Sequence, residues 1–448
     1  MNVSKIYIDL FRENRQVIDS GISPILNGCR DAALEALQKY GLPTTKQEEY
    51  LHFNAEELFR TDWGLNLGRL NMPVDYAEAF RCNVPNLSTL LYYLAGDTLV
   101  QSESAARVQT AEGVLISSLN SLAKDYPELV GKYYAKIAKM ERSGIAAINT
   151  LFAQDGLLVY VPDGVVVEKP VQLVSLLQSK VDMMVNRRIL VVLGNNSQLK
   201  LLLCDHSIDN RNALSVQVVE AFVGSGSQFS YYDLEETHAA NNRINELFIE
   251  QQADSSVELK TITLHNGKTR NSIFATLAGK GASLNVDGVA ITDKQQQVDN
   301  YTYIDHKVSD CTSSELYKYV LDQESQGAFA GRVLVREDSQ RTVAHQTNRN
   351  ICLTRSARMF TQPQLEIYAD DVKCSHGATV GQLDDKAMFY MQQRGISAAE
   401  ARTLLMLAFV DEVIGNVKLE PLRDRLRRLV EKRFRGELGH CEGCNICK

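Results

Sequence analysis

No window of the chain approaches the roughly 18–20 uninterrupted apolar residues of a membrane span, so no membrane segment is expected. The first residues, MNVSKIYIDLFRENRQ, lack the apolar core and small-residue cleavage site of a secretory signal. Basic residues are not in excess. Forty-eight Lys and Arg stand against 55 Asp and Glu, a formal charge of −7, which argues against a large nucleic-acid-binding face. The glycine-rich phosphate loop of Walker A form is missing, which excludes an ATPase site of that type. Paired cysteines are also scarce: of nine, Cys29, Cys82, Cys204, Cys311, Cys352 and Cys374 are scattered singly. That distribution suits free thiols in a reducing compartment, where a buried Cys behaves as a small hydrophobe. These absences together predict a cytoplasmic protein with neither a nucleic acid nor a membrane as partner.

What is present is an ordinary folded composition, 44% apolar and 23% charged over 448 residues. Residues 1–150 read as mostly helical with short strands. CRDAALEALQKY (29–40) has helical spacing, Thr45 and Glu48 form a capping-box pattern for a helix running to Leu58, and 118–141 is a further helical stretch. Leu90–Leu99 and Val114–Ser118 read as strands, with Gly96-Asp97 as a turn.

From about Leu151 the apolar period shortens to two. Polar hinges recur every 25–30 residues: VEKP (167–170), GNNS (194–197), GSGS (224–227), QADS (252–255), GKGA (279–282), VSDC (308–311), REDS (336–339) and TQPQ (361–364). A strand–corner–strand repeat cannot bury its inner face alone, but stacked repeats share one core. The expectation is a mainly β fold: a right-handed β-helix (β-solenoid) over 151–383 between helical ends. Helices resume over 384–437. KAMFYMQQR stops at Gly395, Ser397 and Glu400 cap a second helix, and a third puts Leu422, Leu426, Leu429 and Val430 on one face, suited to docking on a partner. Its arginines, from Arg423 to Arg435, read as a solvated face.

Two clusters carry ligand chemistry. In an extended strand Cys374 and His376 share one face. A thiolate and a neutral imidazole are plausible iron ligands, but two do not complete a tetrahedral site, so a second chain would have to finish it. On residue types alone a packed structural His fits as well. The second cluster lies in the tail, 438–448. Cys441, Cys444 and Cys447 have the spacing of the first three ligands of a bacterial ferredoxin run, with His440 as a candidate fourth, or the tail holds no metal. His206, His238, His265, His306 and His345 read as strand or corner residues.

The segment QPQLEIYADDVKCSHGATVGQLDDKAMFYMQQRG (362–395) resembles the junction motif of the SufB/SufD family of iron–sulfur cluster assembly proteins. Its Cys-Ser-His-Gly form is similar to the SufD branch, whereas SufB proteins usually carry a His-Glu-Ala-Thr version. Gly41-Leu42-Pro43-Thr44 followed by Glu48 also resembles that branch, while Tyr50 and His52 stand where the family often has Trp and Tyr and receive no role. The resemblance implies a non-enzymatic scaffold in the SUF system, working with a SufB homologue and a SufC ATPase homologue. A transient iron–sulfur cluster or iron would be handled at the SufB–SufD interface around His376 and Cys374, with none held tightly by the isolated chain. It also implies that the C-terminal helices dock on SufC and that the isolated chain forms a homodimer through its β-helix end. The cysteine tail is no part of the family pattern. Two other readings use the residues differently: a self-sufficient metal or cluster protein built on the tail, and a β-helix polysaccharide-active enzyme.

Overall fold

The computed structural model describes residues 3–69, 84, 87–100, 108–110, 112–140, 143–208 and 210–437. Among them are twenty strands, β1 (Leu90–Ala95) through β20 (Val372–Gly381), arranged in two ten-stranded sheets. From β5 (Gly156–Val161) onward the chain alternates, odd strands entering sheet I and even strands sheet II, each parallel to the strand one turn away. Eight turns result, from β5 and β6 (Val171–Leu177) to β19 (Arg358–Ile367) and β20. This is the expected β-solenoid between helical ends.

In the early turns, stretches of strand read as near-continuous apolar runs because both of their faces are covered. In β7 (Met183–Leu193), Ile189, Val191 and Leu193 fill the lumen, while Leu190 and Val192 lie under N-terminal helices on the outside of sheet I. On β8 (Gln198–Ser207), Leu199, Leu201 and Leu203 face the lumen, and Leu202 and Cys204 lie under the C-terminal helices.

Six of the eight polar hinges are corners. VEKP (167–170) instead lies past the turn at Asp163-Gly164, where Val166 already pairs with Gln198. In five of the six corners the third residue explains the composition. Asn196, Gly226, Asp254, Gly281 and Asp310 all have φ between 55° and 73°, the left-handed region open to Gly and tolerated by Asn and Asp. The fourth residue is small and buried in each: Ser197, Ser227, Ser255, Ala282, Cys311. Cys311 is therefore one rung of a small-residue file, its thiol donating to the Gly279 carbonyl at 3.3 Å.

Further expectations are corrected. TQPQ (361–364) is not a corner but lies inside β19, which ends sheet I. Only such an edge position lets a strand carry Pro363, which has no N–H to donate. The last corner of that row falls instead at 368–371. The helix expected from Thr45 to Leu58 is broken into a 3₁₀ turn, Glu48–Tyr50, and a short helix, Ala55–Leu58, that Asn54 caps by accepting from Glu57 N–H at 3.3 Å. The stretch 118–141 likewise splits at Pro127 into Leu119–Asp125 and Pro127–Tyr133.

The break at 48–54 has a purpose in packing. Residues 48–52 run as a strap across the outside of sheet I, over five successive odd strands. Tyr50 stacks on Arg270 of β13 (Lys268–Leu277), 4.4 Å from ring centre to guanidinium, and its hydroxyl reaches Glu246 of β11 (Asn241–Gln251) at 3.5 Å. The His52 carbonyl accepts from Gln297 of β15 (Gln297–His306) and Gln326 of β17 (Gln326–Val335). On β19, the His52 ring stacks on Phe360 at 3.9 Å and Glu48 accepts from Gln362 and Gln364 at 3.0 and 2.9 Å.

The third C-terminal helix, Glu420–Phe434, buries Leu422, Leu426, Leu429 and Val430 as the spacing predicts, but against this chain's own sheet II and not a partner. Arg433 is also buried rather than solvated, donating to the Leu264 carbonyl at 2.8 Å and pairing with Asp293 at 2.9 Å.

The two ends of the solenoid differ. At the first turn β1 pairs with β6, β2 (Thr98–Val100) with β1, and β4 (Leu115–Ser118) with β5, so both sheets continue into covering strands. At the last turn β19 and β20 end their sheets with no strand beyond them among the described residues.

Candidate functional site: the open end of the solenoid

Cys374 and His376 both lie on β20, the last strand of sheet II. Val372 and Cys374 pack against the lumen core, and strand alternation puts His376 on the same inward face about 7 Å further along. The structure thus brings the two residues to one face of one bare edge. Ser375 points the other way, its hydroxyl 2.8 Å from His345 Nδ1 on β18 (Thr342–Cys352). Cys374 is half-buried. That burial pushes its thiol pKa up, against a smaller opposing pull from the backbone at Ala344. At neutral pH the thiol is protonated until a metal or a partner cation draws the proton off.

Register shows what lies beneath each side chain. Below His376 the file runs Gln346, Glu315, Val286, Leu259, Tyr231, Leu201 and Val171. The file is apolar, Tyr231 apart, until its last three positions, where it becomes Glu315, Gln346 and His376. Gln346 Nε2 donates to Glu315 Oε1 at 2.8 Å. Burial raises the Glu315 pKa to about 7, with Thr302 and Gln346 pulling it back. Below Cys374 lie Ala344 and Ser313, and Ser313 is 2.9 Å from the Nε2 of buried His306. Desolvation holds His306 down to about 4, so it is neutral at physiological pH. Glu315 and Gln346 escape sequence reasoning because residues thirty apart share a file only once the register is known.

The other histidines are strand and corner residues. His265 Nδ1 lies 2.6 Å from the Thr237 carbonyl, and the His238 ring accepts from Ala240 N–H at 3.1 Å. His440, Cys441, Cys444 and Cys447 lie outside the described residues, as does Cys82.

Around the open end, apolar side chains stand in water. Ile367 ends β19 and Tyr368 follows it, Val380 is 50% exposed on β20, and Phe389 and Tyr390 are 62% and 58% exposed on the helix Asp385–Gln393. That helix buries none of its residues, and Leu404 of the next helix, Ala398–Ile414, is exposed nearby in sequence.

Residues 176–409 match the family described as the SUF system FeS cluster assembly SufBD core domain, and residues 1–173 match the SufBD protein N-terminal region. The chain belongs to the SufBD family. Among its relatives, an iron–sulfur cluster assembly SufBD family protein of Synechocystis is 27% identical over 419 residues, 91% of each chain. The iron–sulfur cluster assembly protein SufD of Bacillus subtilis is 23% identical over 440 residues, 97% of this chain and 99% of that one. SufD of Escherichia coli is 28% identical over 250 residues, 52% of this chain and 59% of the relative. The SufBD core match spans the solenoid from β6 and continues into the C-terminal helices, so it includes both bare strands and the Cys374–His376 face. This SufBD protein is thus an iron–sulfur cluster assembly protein homologous to SufD. No described helix is long and apolar enough to cross a membrane.

Proposed function

We propose that this chain is the SufD-type scaffold of a SUF assembly complex in the cytoplasm, and that it catalyses no reaction by itself. The observation that carries this reading is the bare last turn: two edge strands of ten residues each, one bearing Cys374 and His376. An edge presents unpaired N–H and C=O groups and demands a cover. The matching end of a SufB homologue is the cover we assign to it. There the nascent cluster, or its iron, is the cargo. His376 offers an imidazole nitrogen, Cys374 offers a thiolate once ionised, and the partner supplies the remaining ligands. The exposed Phe389 and Tyr390 on an otherwise unburied helix support docking of the SufC homologue at the C-terminal helices. Isolated, the chain holds no cluster tightly, and two copies cover each other's open ends as a homodimer.

Co-expression with SufB and SufC homologues tests the partners: the three should purify as one complex, and their failure to associate would sink the assignment. His376→Ala tests the site. An exposed edge-strand residue contributes within about 0.5 kcal/mol to folding, so the variant should fold and assemble normally while cluster formation falls at least tenfold. Wild-type rates would remove His376 from the chemistry.

A further inference from the structure

Gln346 lies on the last strand but one of sheet II, yet it is only 1% exposed. Its Nε2 is committed downward to Glu315, and its Oε1 is buried with no hydrogen-bond partner. A buried amide oxygen left unpaired is costly. Those of Gln251 and Asn271 are likewise without a partner, and what singles out Gln346 is its place directly beneath the bare edge. The residue in register directly above it, on the bare edge, is His376. Across the lumen Gln346 rests on Gly331 of β17, where an added methyl would stand 2.1 Å from its Nε2 and 2.8 Å from its Cδ. The missing side chain at Gly331 is therefore the seat of the amide. Carboxylate, amide and imidazole follow one another in a single file, with the amide clamped from below and from the side.

We infer that Gln346 is a positioning residue for His376, resting on the cluster-assembly reading above: its Oε1, unpaired while His376 stands exposed in this structure, accepts the imidazole N–H once the ring lies over it, with Glu315 fixing the amide's orientation. A ligating His commonly gives its second ring N–H to such an acceptor, which fixes the tautomer and aims the other nitrogen's lone pair. Here the lone pair is aimed out of the lumen, toward whatever covers the open end. Glu315 cannot do this itself, being two strand spacings, about 9.6 Å, from the His376 position. Ionised Glu315 can only accept, so the amide presents its NH₂ group downward to it, as the structure shows, and that leaves the oxygen for His376.

The test uses the full-length chain labelled with ¹⁵N at histidine, the His376 signals being those lost in His376→Ala. Long-range ¹H–¹⁵N spectra should show one dominant His376 tautomer in the wild type. Gln346→Leu should return it toward the mixture of a free imidazole. Gly331→Ala, which displaces the amide without removing it, should do the same to a smaller degree. Glu315→Gln, which frees the amide to turn over, should also loosen the preference. In the complex with SufB and SufC homologues, Gln346→Leu should slow cluster assembly by roughly 10–100-fold, the range for partners of ligating histidines. Amide exchange of residues 312–321 establishes that each variant is folded, and Gln346→Asn, which shortens the reach but keeps the amide, serves if the leucine variant is not. An unchanged tautomer ratio in the folded Gln346 variant overturns the proposal. If His376→Ala itself assembles clusters at the wild-type rate, the site reading fails. If that variant is inactive while the Gln346 variants match wild type in both readouts, only the positioning role is lost.

Discussion

Glu220→Ala should unfasten the N-terminal cover of the solenoid while leaving the open end at work. Glu220, on β9 (Ala213–Val223), is fully buried and accepts from the backbone N–H groups of Ala135, Ile137 and Ala138 at 2.9, 3.1 and 3.0 Å. Its other commitment is a salt bridge with the equally buried Arg188, whose guanidinium also lies 4.8 Å from the Tyr134 ring centre. Breaking one side of a buried pair costs about 3–5 kcal/mol because the remaining charge is stranded. Each orphaned N–H adds about 1–3 kcal/mol, less than additively. The expected loss is at least about 4 kcal/mol, a large share of the roughly 5–15 kcal/mol that holds a domain folded. Stability in a solenoid is a sum of neighbour terms, so the damage should stay local. The assay is native-state amide exchange, which should show residues 130–152 opening far more readily in the variant and β17–β20 unchanged. The last strand of sheet I is five strand spacings from β9, about 24 Å, so cluster assembly by the folded complex should keep its wild-type rate. Replacing both Glu220 and Arg188 by Leu should recover part of the loss, since no charge is stranded but the three N–H groups remain unpaired. A Glu220→Ala variant within about 1 kcal/mol of wild type in that segment, well short of a broken buried pair, would refute the reasoning.

Val380→Lys replaces an apolar side chain of the bare edge by a charge that end-to-end pairing would have to desolvate. Burying a charge without a partner is costly, so light scattering should show a monomer where the wild type is dimeric, and equal masses would count against end-to-end pairing. Glu315 titrates near 7 in the fold against 4.5 for the ordinary side chain. An acid with a raised folded pKa loses stability as pH rises from the unfolded value to the folded one, here by up to about 3 kcal/mol. The Tm of Glu315→Gln should therefore gain on wild type between pH 4.5 and 7 and hold level above, and a constant difference across that window would show Glu315 to be unperturbed. Anaerobically purified chain should carry no tightly held iron or zinc, whether or not Cys441, Cys444 and Cys447 are changed to Ser; metal lost only in the triple variant would move the chemistry to the tail.

The solenoid was legible because one corner row repeats a left-handed residue followed by a small one, as in Asn196-Ser197 and Gly226-Ser227. The opposite row was not. Its corners, such as Asn266-Gly267 and 293–296, vary in length and composition, so each turn's second bend went unread. TQPQ misled because polar residues and a proline signal a turn in sequence, and only topology reveals an edge strand. The helix expected after Thr45 failed because Tyr50 and His52 gain more from Arg270 and Phe360 than from continuing a helical ladder. Cys374 and His376 were singled out as candidates by their spacing and by family resemblance. What lies under them depends on pairing across whole turns, which no local pattern encodes.

The strap at residues 48–52 makes the length of the rod a fixed quantity. A repeating stack has no intrinsic reason to stop, since a further turn adds the same contacts as the last. Here Glu48 and His52 grip β19 while Tyr50 grips β11 and β13. One turn inserted between those strands would carry β19 out of reach by about 4.8 Å, and one turn deleted would leave Glu48 overhanging the end. The N-terminal region thus works as a gauge, holding the cut face of the rod, and the chemistry mounted on it, at a set distance from the helices that cover its flank.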